Sequence, residues 1–310
     1  MQVEAELAEF SLERDTLLTI GVFDGVHLGH KHLIAELTGL ARKQGLSSGV
    51  ITFSRHPREV VSPRTRLPFL TGIEQRIELL KGEGVDEVIP LSFTPELAKL
   101  SPREFLKLLK KHLRMRGLVI GPDFALGRNR EGDTAALSRL GEEMGFSVTV
   151  VPPLKIDCEV VSSTAIRQAL AEGDTKRAQK LMGRPFNLHG RVVKGDRRGN
   201  ELGFPTANLE TAAEQALPAD GVYTSRAFMD AQAYPAMTNL GLHPTFGGDK
   251  RLVEVYLMDY HGDLYGRELT VEIIERLRDE IKFDSPQELK KQIAEDIKRG
   301  KAILETRGAS

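Results

Sequence analysis

Leu17-Leu18-Thr19-Ile20-Gly21-Val22-Phe23-Asp24-Gly25-Val26-His27-Leu28-Gly29-His30 decides how the first half of the chain folds. Leu17 to Phe23 is a short apolar run suited to a buried strand; the chain then turns at its glycines and enters a helix near Gly29. Leu33, Ile34, Leu37, Leu40 and Ala41 then recur at the spacing of one helix face. The alternation continues outward. Gly49-Val50-Ile51-Thr52-Phe53 is a second strand; Ile73, Ile77 and Leu80 mark a helix; Glu87-Val88-Ile89-Pro90-Leu91 is a third strand. Ser101-Pro102-Arg103-Glu104 supplies an N-cap, a proline at the first helical position and a capping-box glutamate for a helix whose apolar face carries Phe105, Leu108 and Leu109. Leu118-Val119-Ile120 and Val148-Thr149-Val150-Val151 read as further strands, with residues 133–144 helical between them. Strands alternating with helices predict a parallel sheet flanked by helices. Such sheets bind ligands at the carboxyl ends of their strands.

The period changes near Gly183-Arg184-Pro185-Phe186. Val253, Val255 and Leu257 alternate with Glu254, Tyr256 and Met258, and Leu269, Val271 and Ile273 alternate with Thr270, Glu272 and Ile274. Period two means half-buried strands, and several of them between Gly and Pro turns suggest an antiparallel sandwich or barrel. Ser285-Pro286-Gln287-Glu288 repeats the capping device, and Leu289, Ile293 and Ile297 give a closing helix its stripe. The expected domains are therefore 1–182, α/β, and 183–310, largely β.

The chain has 310 residues, room for two domains, with 43 Lys plus Arg against 44 Asp plus Glu. This balance argues against a dedicated nucleic-acid binder. No apolar run approaches the roughly 20 residues of a membrane helix. The acidic start, Met1 to Leu7, lacks a signal-peptide pattern. Cys158 stands alone, so no intramolecular disulfide forms; a reducing, cytoplasmic setting is expected, with Cys158 as a small core residue.

Neither GxxxxGK[ST] nor GxGxxG is present. The turn after the first strand offers a different device. A helix starting near Gly29 presents free N–H groups and a positive dipole end to phosphate. Gly21, Gly25 and Gly29 let backbone approach a ligand, with Phe23 and Asp24 between them. His27 and His30, three apart, both face that ligand as imidazolium or neutral N–H donors. A metal site is the rival, but no HExxH and no cysteine cluster supports it. Ser162, Ser163 and Thr164 cap a helix carrying Arg167, a second anion-suited start. In the second half, 189–208 reads as a strand and a glycine-rich loop whose N–H groups, with Lys194, Arg197 or Arg198, suit a phosphate. Thr206 and Asn208 point the same way on an extended segment, and their oxygens are acceptable to Mg²⁺.

Gly21-Val22-Phe23-Asp24-Gly25-Val26-His27-Leu28-Gly29-His30 resembles the FMN adenylyltransferase module of the bacterial bifunctional riboflavin kinase/FAD synthetase family. Phe53-Ser54-Arg55-His56-Pro57, Gly121-Pro122-Asp123-Phe124-Ala125-Leu126-Gly127 and Ser162-Ser163-Thr164-Ala165-Ile166-Arg167 resemble its later elements, in order. Gly203-Phe204-Pro205-Thr206-Ala207-Asn208 resembles the signature of riboflavin kinase. The resemblance extends through Asn239 to Phe246, Val253 to Tyr256 and Arg278 to Phe283. It implies a nucleotidyltransferase-type Rossmann-like domain followed by an antiparallel β-barrel with a closing helix. It implies ATP and Mg²⁺, with riboflavin, FMN and FAD as substrates and products, and no nucleic-acid or membrane partner. The implied catalytic residues are His27, His30, Arg167 and Glu254, the last as base. Gly195 and Gly203 join the phosphate-binding glycines, Thr206 and Asn208 bind Mg²⁺, and His56, Pro57, Asp123, Phe124, Arg278 and Glu280 meet flavin. Two other functions compete: transfer to a different phosphate, and a flavin-binding regulator without catalysis.

Overall fold

The computed structural model describes residues 1–10, 12–62, 67–195, 203–230, 232–245 and 248–308. The chain divides into two compact units, Met1–Ser163 and Thr164–Ser310.

The first unit is built on a parallel sheet of five strands: β1 (Thr16–Gly21), β2 (Ser47–Phe53), β3 (Glu87–Leu91), β4 (Met115–Ile120) and β7 (Ser147–Val150), in the order β3-β2-β1-β4-β7. Two short hairpins stand apart from it, β5 (Ala125–Leu126) with β6 (Gly132–Asp133), and β8 (Lys155–Ile156) with β9 (Glu159–Val160). Successive strand side chains face opposite ways, so each strand feeds two cores. Leu18, Ile20, Ile51, Ile89 and Leu118 pack on α1 (Gln2–Ala8), α5 (Pro102–Leu113) and α6 (Thr134–Met144) through Leu7, Phe105, Leu109 and Leu137. Leu17, Val50, Val88 and Val119 face α2 (Leu28–Gln44) and α4 (Ile73–Gly82) through Ile34, Leu37 and Leu80. The expected capping box at Ser101 forms: the Glu104 N–H donates to Ser101 Oγ at 3.3 Å, and the Ser101 N–H donates to Glu104 Oε2 at 2.8 Å. Chain direction reverses across the sheet beside β1, because β2 and β3 lie on one side and β4 and β7 on the other. Ligands of open α/β sheets bind at such a switch point.

Two expectations change here. Val22 and Phe23, read as the end of the first strand, lie beyond β1 and form the turn. Cys158 is not in the core but exposed at the tip of the β8–β9 hairpin. Asp157 and Cys158 take φ of 49° and 68°, as a two-residue hairpin turn requires, and this turns both side chains outward.

The second unit takes most of α7 (Ser163–Ala171), then α8 (Thr175–Met182), a closed barrel and α9 (Pro286–Gly308). The barrel strands are β10 (Phe186–Val193), β11 (Ala207–Thr211), β12 (Gly221–Met229), β13 (Gln232–Thr245), β14 (Gly248–Leu257) and β15 (Glu268–Arg278). Their order is β10-β11-β14-β13-β12-β15, and β10 pairs with β15 to close the ring. Leu188, Tyr223, Leu240, Val255 and Val271 fill the interior, where the Ser225 and Thr238 hydroxyls satisfy each other at 2.7 Å. Helix α9 covers Met237, Met258 and Leu277 with Ile297 and Ile303. The Arg278 guanidinium and the buried Asp296 carboxylate, 2.8 Å apart, pin it to the end of β15. Among the described residues no helix is long and apolar enough to cross a membrane.

Candidate functional sites

The segment leaving β1 at the switch point is held in a strained shape. Phe23, Gly25 and Val26 have φ of 51°, 85° and 36°. Positive φ at a bulky and a β-branched residue persists only where the surroundings over-determine it. Asp24 is part of that restraint. It is 2 % exposed, and its carboxylate accepts the N–H groups of Leu70 (2.9 Å) and Thr71 (3.1 Å). The Gly25 N–H donates to Thr71 Oγ1 at 3.0 Å, and Ser163 Oγ donates to the Asp24 carbonyl at 2.9 Å. Asp24, expected at the phosphate, is thus turned inward and holds the loop's shape.

His27 is the N-cap of α2. Its Nδ1 accepts the His30 N–H at 3.2 Å, which leaves the ring proton on Nε2. The His30 ring stacks on it with centroids 3.6 Å apart and meets the edge of Phe23 at 5.1 Å. Burial, then the neighbouring His27 and Arg76, hold the His30 imidazole well below the usual histidine range. His30 is therefore neutral at pH 7, and the imidazolium alternative drops out for it. Its Nδ1 is enclosed without a hydrogen-bond partner among the described residues. Gly29 is required by close approach: a Cβ there would stand 2.9 Å from the Val161 carbonyl and 3.2 Å from the His27 ring. The result is a helix start with two stacked imidazoles and glycine clearance, an arrangement that accepts an anionic group and donates to it.

The remaining expected residues of this half lie on several separate elements. Gly21 ends β1. His56 caps the short α3 (Pro57–Val61), its Nδ1 accepting the Arg58 N–H at 3.1 Å, with Pro57 at the first helical position. Asp123 is exposed, and its carbonyl accepts from Arg130 at 3.0 Å; Phe124 is half-buried against the core. Ser162 and Ser163 belong to the first unit, whereas Thr164 and Arg167 fall in the second. Thr71 and Arg76 escaped the sequence reading. A signal existed: Arg76 sits on the inward stripe of α4 between Ile73, Ile77 and Leu80, where an apolar residue is expected.

In the second unit the candidate groups come together through strand register. Asn208 on β11 lies opposite Glu254 on β14, and Glu254 lies opposite Asn239 on β13. Residues directly opposite share a face. Because Ala207, Val253, Val255 and Leu240 are buried inside, this row lies on the barrel's outer wall. Thr206 is exposed, one residue before β11. Gly195 lies against the Asn208 amide so closely that a Cβ would collide with it. Glu280 accepts from Asn239 Nδ2 at 3.3 Å, while Arg278 is engaged by Asp296. Gly203 is in the exposed turn before Thr206. Lys194 is exposed, and Arg197 and Arg198 lie outside the described residues. His243 belongs to β13. Among the described residues no group of three or more His, Cys, Asp or Glu could hold a metal. Thr206, Asn208 and Glu254 nonetheless offer only hard or amide donors on an accessible wall, a set that fits Mg²⁺ sharing its sphere with waters and phosphate.

Residues 10–165 match the family model described as FAD synthetase, and residues 182–304 match that of riboflavin kinase. A Pseudomonas fluorescens protein named bifunctional riboflavin kinase/FMN adenylyltransferase is 39% identical over 292 residues, 94% of this chain and 93% of that one. The chain belongs to this bifunctional family. An Escherichia coli K12 riboflavin kinase/FMN adenylyltransferase is also 39% identical, over 90% of each chain. A crystal structure from Streptococcus pneumoniae, titled a macrolide-efflux protein, is 32% identical and aligns over 97% of both chains with a TM-score of 0.89. The FAD synthetase match contains the His27–His30 turn, and the riboflavin kinase match contains the Asn208–Glu254–Asn239 row.

Proposed function

We infer that this chain phosphorylates riboflavin to FMN and then adenylylates FMN to FAD, using ATP in both steps. What carries the reading is the coexistence in one chain of the adenylyltransferase match over the His27–His30 helix start and the kinase match over the Thr206, Asn208 and Glu254 wall. The catalytic domains are taken as 1–182 and 183–310, and the enzyme as cytoplasmic and acting on small molecules alone.

In the kinase step Glu254 accepts the proton of the riboflavin 5′-hydroxyl as that oxygen attacks the γ-phosphorus of ATP and ADP leaves. Thr206 and Asn208 would hold Mg²⁺, which supplies charge neutralisation for the phosphates. Gly195, Gly203 and Lys194 line the phosphate path; Arg278 and Glu280 meet the flavin. In the adenylyl step an FMN phosphate oxygen attacks the α-phosphorus of ATP and pyrophosphate leaves. The attacking oxygen is already anionic, so no base is needed. The N–H groups at the start of α2, Nε2–H of His27 and the neutral His30 orient and stabilise the moving charge, while His56, Pro57, Asp123 and Phe124 meet the flavin side.

The direct test is incubation with riboflavin and ATP–Mg²⁺ followed by chromatography. FMN and then FAD are expected. Unchanged riboflavin, with no FAD from supplied FMN, would defeat the reading.

A further inference from the structure

Arg76 is among the largest fully buried side chains of the described residues, 1 % exposed. It occupies a place on the inward stripe of α4 where leucine would be expected, and its loss alone would leave the buried Asp24 carboxylate uncompensated. Its contacts explain what leucine could not do. Nη1 donates to the Phe53 carbonyl at the end of β2 at 2.8 Å, and Nη2 donates to the Thr71 carbonyl at 3.1 Å. Nη2 also lies 3.9 Å from Asp24 Oδ1, and the guanidinium carbon sits 5.2 Å from the centre of the Phe69 ring. One planar group thus joins the carboxyl end of β2, the 69–71 turn and the Asp24 carboxylate. Thr71 and Asp24 are the groups that hold the strained 23–26 loop, and that loop leads directly to His27.

We propose that Arg76 is a positioning residue for adenylyl transfer: acting through Thr71 and Asp24, it fixes the 23–26 loop and so sets where the stacked His27 and His30 rings meet the triphosphate. Its charge also reaches His30 and helps keep that imidazole neutral. A helix start binds ground-state ATP whether or not the rings are aimed, so misplacing them acts on the transition state more than on binding. The proposal rests on the adenylyltransferase reading of this site.

The test uses the full chain with Arg76→Lys, which keeps the charge but not the two-pronged fork, and Arg76→Met. FMN adenylylation is measured against ATP concentration, riboflavin phosphorylation is measured on the same samples, and ¹H–¹³C spectra follow the imidazoles of His27 and His30. Adenylylation kcat should fall about 10- to 100-fold in Arg76→Met and several-fold in Arg76→Lys, as angstrom-scale misplacement costs. The KM for ATP should change less than about threefold, phosphorylation should be unaltered, and both imidazole signals should move. If Arg76→Met does not fold, Asp24→Asn/Arg76→Met removes both charges of the pair and takes its place. Wild-type kcat with unmoved imidazole signals in Arg76→Lys or the double variant would overturn the proposal. Should the unmodified chain fail to adenylylate FMN, the functional reading falls, and the imidazole signals of the variants still decide whether Arg76 sets the rings.

Discussion

In the first unit the groups proposed to meet phosphate at the start of α2 come from a single segment, residues 21–30, and their placement depends on a buried network of Asp24, Thr71 and Arg76. In the barrel they come from β11, β14 and β13, and their placement follows the pairing register that sets Asn208, Glu254 and Asn239 side by side. The difference separates two ways of fixing a polar group. A strained loop needs continuous restraint from the core, and a perturbation well below the surface reaches the site. A row across a closed barrel is fixed by the whole sheet, so a change at one position stays local.

The largest test of that contrast is a reciprocal pair. Glu254→Gln should reduce riboflavin phosphorylation by about 10²- to 10⁴-fold, the range for loss of a general base, and leave adenylylation of supplied FMN intact. His30→Ala should do the reverse, with a loss of about 10²-fold or more. Loss of both steps from either substitution in a folded chain would end the description of two independent sites.

Next come two glycines. Gly29→Ala places a methyl group against a main-chain carbonyl at 2.9 Å, which cannot swing away, so adenylylation should fall about tenfold. Gly195→Ala meets only the Asn208 amide at the end of a flexible side chain, so the Mg²⁺ concentration for half-maximal phosphorylation should rise only a few-fold. Equal effects would mean that the barrel wall is as rigidly determined as the loop.

The smallest effect is on stability. Folding keeps His30 neutral, whereas the unfolded chain protonates it near its ordinary value of 6.5. The folded form is thus unpenalised above about pH 6.5 and loses stability as pH drops below it, by up to ~1.4 kcal/mol per pH unit. Thermal melts from pH 5 to 8 should show a steeper acid-side decline in the wild type than in His30→Gln. Identical slopes would assign that proton uptake to another group.

What was legible in the sequence was local. The strand, turn and helix around His27, the Ser101 capping box and the change of period near Gly183 are all written in neighbouring residues, and the parallel sheet and barrel follow from them. The Asn208–Glu254–Asn239 row was not, because register belongs to the sheet: the spacing of Thr206 and Asn208 gave a shared side but no partner. The Arg76 network was hidden for a similar reason. Its three oxygen partners lie on separate segments, and only a charged residue on an apolar stripe hinted at it. Cys158 was misread because two flanking apolar residues resemble a core strand until positive φ turns the tip outward.

Closure of the barrel between β10 and β15 has a consequence for how the chain matures. Phe186 pairs with Ile273, so the ring cannot be completed until nearly the whole second unit has been synthesised. The parallel sheet of the first unit, by contrast, has all its strands by residue 150. A chain emerging from the ribosome can therefore consolidate its adenylylating half while the barrel strands still expose unpaired edges, and the barrel then forms late, with the slow search that distant strand pairing imposes.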